Sequence, residues 1–307
     1  MKRLFLSIVF LFLTTLYAQE KPTVTVSIVP LKTFVQKIAG ERVNVNVMVL
    51  PGHSPATYEP KPSQMRALAD SRLYFSVGVP FEKAWLHRFR DQNPSMKVVA
   101  THKSLELLTM AAHHHDEDGE EEHDHDARHE HEHEDEHEDK GHDHGGKDPH
   151  VWLSPANVKV MAKTILESLI PLLPDDEAAL KAGYETFIAE IDATDKTLAQ
   201  LLAPFKGEAF MVFHPSWGYL ARDYGLKQLP IEIEGKEPSP ARLGAFIREA
   251  KHQKVRAIFV QPEFSKKAAT VIAKEAKVNV VSVSSLAADW SENLLRFART
   301  FETKGSK

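Results

Sequence analysis

The chain is 307 residues long, 42% apolar and 26% charged, with a formal charge of −5 and no cysteine. The missing cysteines exclude disulfides and a cysteine-linked lipid anchor, and no basic stripe with interleaved aromatics points to nucleic acid. The length suffices for two compact lobes rather than one.

Lys2 and Arg3 precede an apolar run over 4–12 that extends to Leu16, and Ala18 offers a small residue before Gln19. This pattern reads as a secretory signal peptide over 1–18. The run is short of the roughly 20 residues that span a bilayer, so a membrane anchor is the weaker reading. The mature chain is expected in a periplasm-like space.

From residue 22 the pattern alternates. Strands are expected at 23–29 (TVTVSIV) and 43–50 (VNVNVMVL), with a helix over 31–39 between them, which opens a βαβ unit. Short apolar runs at 73–77 and 97–99 follow helix-like stretches at 62–70 and 81–90. The segment 113–147 then interrupts this lobe. It holds eleven of the 17 histidines (His113, His114, His115, His123, His125, His129, His131, His133, His137, His142 and His144) and carries a formal charge of about −13. The remainder of the chain is therefore net positive. So polar a stretch cannot bury enough apolar surface to offset its ordering entropy, and it reads as a metal-attracting loop. Neutral imidazoles suit zinc, copper and nickel, and the carboxylates draw cations near.

Beyond the loop, Ser154 followed by Pro155 looks like an N-cap and first turn, opening a helix over 156–172. The longest helical pattern, 175–202, ends before Pro204. A second α/β run follows, with strands at 209–213, 257–260 and 278–283 and helices at 217–224, 240–253, 266–276 and 291–300. The expected fold is α/β: two lobes, each a mainly parallel sheet flanked by helices, joined by one long helix. The boundaries are 22–174 for the first lobe, 175–203 for the linking helix and 204–307 for the second lobe.

Ligands of open α/β sheets collect beyond the carboxyl ends of strands, and three histidines fall in such turns. His53 lies in PGHSPATYEP, His150 in DPHVWLSP and His214 in FHPSWGY. A lone loop histidine is usually a hydrogen-bonded structural group, but three in corresponding positions point to a shared site. His87, His102 and His252 lack ligand-like spacing and read as surface or packing residues. Trp152, Trp217 and Trp290 read as lobe walls, with Trp217 also a candidate for the cleft lining.

PGHSPATYEPKPSQ at 51–64, DPHVWLSP at 148–155, FHPSWGYLARDYGL at 213–226 and IEIEGKEPSPARL at 231–243 closely resemble the periplasmic zinc- and manganese-binding proteins of ABC-type metal importers, the ZnuA/TroA-like family (cluster A-I solute-binding proteins). The resemblance covers essentially the whole mature chain. It implies a metal bound between the lobes and delivered to an inner-membrane permease, a monomeric receptor and no enzymatic activity.

Carried over by residue, His150 and His214 match family ligands. The histidine that members place just before the YEP-like segment is Ala56 here, and His53 is expected to supply that nitrogen. The usual aspartate after the last strand aligns with Ser284, so Asp289 or water is expected as fourth ligand, with Glu263 a more distant candidate better suited to a fold or surface role. Asp148 is read as an orienter of an imidazole or a cap of the local turn. Glu232, Glu234 and Lys236 are expected to fix the inter-lobe turn or face the permease.

Nitrogen-rich four-coordinate sites favour Zn²⁺ over Mn²⁺. The expected function is periplasmic zinc capture for uptake, with the His-rich loop assisting. The alternatives are a manganese or other divalent-metal receptor, a metal-dependent adhesin or sequestering protein, and a zinc hydrolase. The last lacks an HExxH helix or a paired general base.

Overall fold

The computed structural model describes residues 20–110, 146–232, 236 and 238–302. The expected signal peptide over 1–18, the eleven histidines of 113–147 and Glu234 lie outside the described residues.

The first lobe is built from β1 (Thr23–Val26), α1 (Val29–Ala39), β2 (Asn44–Val47), α2 (Pro62–Ala69), β3 (Ser71–Ser76), α3 (Pro80–Gln92) and β4 (Lys97–Ala100). Its four strands are all parallel, in the order β2-β1-β3-β4. Proline at the first turn sets the start of α1, α2 and α3, because it has no N–H to leave unpaired there. In α1, Leu31, Phe34, Val35 and Ile38 recur at helical spacing and are all buried.

A 3₁₀ turn (Val151–Leu153) leads into α4 (Pro155–Leu169), whose N-cap Ser154 accepts from Asn157 N. A further 3₁₀ turn (Pro174–Asp176) precedes α5 (Glu177–Leu202). The second lobe follows with β5 (Ala209–Val212), α6 (Gly218–Tyr224), β6 (Lys227–Pro230), α7 (Pro240–His252), β7 (Ala257–Val260), α8 (Lys267–Ala276), β8 (Asn279–Ser282) and α9 (Trp290–Thr300). Its strands are parallel in the order β6-β5-β7-β8, and the expected α/β architecture with one long joining helix is the one observed.

The sequence pattern misses β6. KQLP has neither alternation nor β-branched residues, and its strand character comes from pairing with β5 (Ala209 with Lys227 through Val212 with Pro230). As an edge strand it tolerates Pro230 at its end.

The helix α5 packs against α1, α4 and α9, so it is seated on both lobes. The cores follow the same logic. In β5, Phe210 and Val212 face a large core that also holds Phe34, Trp152 and Phe187, whereas Ala209 and Met211 face a smaller core with Phe246 and Ile272. Strand alternation thus gives the second sheet two separate cores, one of them continuous with the first lobe.

Candidate metal centre

Two of the three expected histidines meet between the lobes. His214 emerges just past β5, where Phe213 N donates to Phe259 O at 3.0 Å. Gln261, just beyond β7, fixes the turn: its Nε2 donates to His214 O (2.6 Å) and Ser216 Oγ (2.9 Å), and its Oε1 accepts from His214 N (3.3 Å). His150 is held from the first lobe, following Asp148, whose N donates to Leu108 O at 2.8 Å. The two imidazoles have centroids 5.1 Å apart and planes at 69°.

Each ring is oriented by a carboxylate. His150 Nδ1 donates to Asp148 Oδ1 at 2.7 Å, and His214 Nδ1 donates to Glu232 Oε1 at 2.7 Å. A carboxylate on Nδ1 selects the tautomer with its proton there, which leaves the Nε2 lone pair free to bind a cation. His150 is 7% exposed, and burial depresses its pKa below the ordinary imidazole value; the neighbouring Asp148 opposes this without cancelling it. The neutral, ligating form is therefore the stable one at neutral pH. Asp148 does more than cap its turn, and Glu232, buried to 9% exposure, holds His214 instead of facing a partner.

The rings open onto a cavity of about 260 Å³ walled by Ser54, Pro55, Ala56, Trp152, Glu263 and Phe264 among others. Phe264 lies nearly parallel to His214 at 5.4 Å, and Trp152 packs beside His150 at 5.2 Å. Trp217 is fully buried and stacked on Phe297 at 4.5 Å, packing inside its lobe and not lining the cavity.

The structure does not bring the other two expected ligands to the pair. His53 is exposed and meets Tyr58 edge-on at 5.2 Å, while the three residues after it line the cavity. Asp289 stands at the N-cap of α9, where Arg296 Nη1 donates to its Oδ2 at 2.6 Å; that guanidinium holds its carboxyl below the usual range. Asp289 is not among the residues that line the cavity, whereas Glu263, the more distant candidate in sequence, is. Among the described residues no three His, Asp or Glu side chains already stand close enough together to hold an ion.

Hydrogen bonds across the cleft hold the two halves of the site together. Tyr219 of α6 donates to Asp148 O (2.7 Å) and accepts from Leu108 N (3.0 Å). Trp152 Nε1 donates to Ser285 O (2.6 Å), and Trp290 Nε1 donates to Trp152 O (2.7 Å). A Cβ on Gly218 would stand 2.9 Å from Asp148 Oδ2, so a larger residue there would push on the carboxylate that holds His150.

Two parallel-sheet lobes joined by a long helix, with carboxylate-held imidazoles facing each other between them, define a two-lobed metal-binding solute receptor. More particularly, the chain belongs to the ZnuA family, the periplasmic component A of zinc-uptake complexes, whose model matches residues 24–302. Over 271 residues it is 29% identical to the zinc-binding protein AdcA of Streptococcus pyogenes, covering 88% of this chain and 51% of that protein. The chain thus spans about half the length of that relative. Among solved structures, a crystal structure of ZnuA is 36% identical with a TM-score of 0.78, covering 94% of this chain and 100% of that one. A mutant form of the Mn-bound periplasmic metal-binding protein of Candidatus Liberibacter asiaticus is 20% identical with a TM-score of 0.70 over 92% of this chain and 98% of that one, a likeness of fold alone. Membership of a family of metal-binding transport components removes the hydrolase alternative.

Proposed function

We propose that this protein captures zinc in the periplasm and delivers it to an ABC-type uptake permease. One observation carries the reading: two imidazoles face each other across the lobes, each with Nδ1 engaged by a carboxylate and Nε2 left to ligate. Imidazole nitrogen suits Zn²⁺, whereas Mn²⁺ prefers oxygen ligands, and the relative AdcA is a zinc-binding protein. The manganese reading rests on shared fold and has no such ligand argument behind it.

Tight zinc sites use three or four ligands, so the pair needs company. His53 joins by turning off Tyr58: Gly52 before it has φ +77° with nothing within 4 Å of a Cβ, and Ser54 after it already lines the cavity. The segment 113–147 acts as a tethered bank of weak sites that raises the local zinc concentration beside the cleft.

The test is zinc titration of the mature chain against a competing chelator, read by calorimetry. One tight site is expected that His214→Ala abolishes, His53→Ala weakens and Mn²⁺ fills poorly. Retention of that site in the His214→Ala protein overturns the reading. Removal of 113–147 is expected to keep the tight site but slow its filling from chelator; unchanged filling rates would dismiss the loop's part.

A further inference from the structure

We propose that Glu263 supplies a carboxylate oxygen to the zinc held by His150 and His214, turning into the cavity from the β7–α8 turn; this rests on the zinc-capture reading above. Glu263 is the one acidic side chain among the described residues that line the cavity. The chain sets it beside His214: the next residue, Phe264, lies on that imidazole, and Gln261, two residues earlier, is bonded to its backbone. The other nearby carboxylates are already engaged, Asp148 and Glu232 on the imidazole Nδ1 atoms and Asp289 on Arg296.

Glu263 is held differently. Its Oε2 is buried with no hydrogen-bond partner, a state that ordinarily destabilises and that a cation relieves; Glu232 Oε2 is in the same state, but Glu232 is bonded to His214 Nδ1 through its other oxygen and does not line the cavity. Burial raises its pKa; hydrogen bonds from its own backbone N–H and from the Ser284 side chain oppose this, and the positive form of His214 adds a smaller pull the same way, so the two groups are within electrostatic reach. Charge gives a second argument. Neutral imidazoles leave the full dipositive charge of the ion in a cleft also walled by Lys83 and Lys147, and an anionic ligand lowers that cost. As the three groups do not yet converge, the ion itself draws the Glu263 side chain inward by rotation about its own bonds.

The experiment compares the full mature chain with Glu263→Gln and His214→Ala, using one equivalent of Zn²⁺ or Co²⁺ against a chelator, with thermal melts of the metal-free proteins. Glu263→Gln removes the anionic oxygen but keeps the shape. It is expected to melt like the parent, to retain one site, to bind at least about tenfold more weakly and to shift the cobalt d–d absorption. A Glu263→Gln protein that binds within about twofold of the parent with an unshifted cobalt spectrum overturns the proposal while leaving the two-histidine site intact. A His214→Ala protein that binds as tightly as the parent overturns the site itself, and Glu263 with it.

Discussion

At the scale of single residues, the site depends on which imidazole nitrogen is free. Glu232 touches Nδ1 of His214 and fixes its tautomer, so in the proposed site it would act on the metal through the ring. Glu232→Gln is expected to weaken zinc binding roughly 10–100-fold with the site count unchanged, as measured by chelator competition. A second buried carboxylate gives a pH signature. Glu82 is 4% exposed and accepts from Val77 N and Gly78 N at 2.8 Å each, yet burial outweighs these bonds and its pKa is pushed up to about 6. Because the folded state holds this proton more tightly than the unfolded chain, the group's contribution is fully present below the ordinary glutamate value and is lost as pH rises through about 6. The shift is equivalent to about 2 kcal/mol. Glu82→Gln is expected to flatten the corresponding part of the stability profile of the metal-free protein, measured by urea melts at pH 4.5, 5.5 and 7.

At the scale of elements, one backbone contact seats the linking helix and one aromatic stack seats α9. A Cβ on Gly183 of α5 would stand 2.3 Å from Ile38 O, so α1 and α5 touch backbone to backbone. Helix propensity favours alanine there by about 1 kcal/mol, but the clash is with a main-chain oxygen and cannot be relieved by a side-chain rotation. Gly183→Ala is therefore expected to destabilise by about 1–3 kcal/mol, visible in chemical denaturation. In α9, Phe297 is fully buried, stacking on Trp217 at 4.5 Å and Phe259 at 4.4 Å. Phe297→Ala is expected to cost about 3–5 kcal/mol. Helix positions were largely legible in sequence because apolar spacing and first-turn prolines are local signals. β6 was not, since a partner strand decides it.

At the scale of the whole molecule, two lobes do not mean two independent units. The core containing Phe34 and Trp152 of the first lobe runs on to Phe210, Phe259 and Phe297 of the second. Ser154 at the start of α4 hydrogen-bonds to Asp223 of α6, adding to the ties of Tyr219 and Trp152. Separating the lobes would expose shared apolar surface, so metal entry is expected to move loops and side chains more than whole lobes. The metal-free protein is accordingly expected to unfold in one calorimetric transition with equal van't Hoff and calorimetric enthalpies. Two resolved transitions would contradict the continuous core.

By itself the sequence determined the alternation of strands and helices, the long joining helix, and the placement of His150 and His214 in turns after the expected strands or before a helix cap. These follow from short-range patterns: β-branched runs, caps, prolines and helical periodicity. Tertiary structure alone decided which carboxylate holds His214 and which lines the cavity. Asp148 is two residues from His150 and was legible as an orienter, but Glu232 reaches His214 from 18 residues away and Gln261 from 47. Asp289 and Glu263 are both acidic residues in turns near the second sheet, and no local pattern separates them. Arg296, two helical turns further on, claims the first, while the second lies in the cavity wall beside Phe264, which packs on His214.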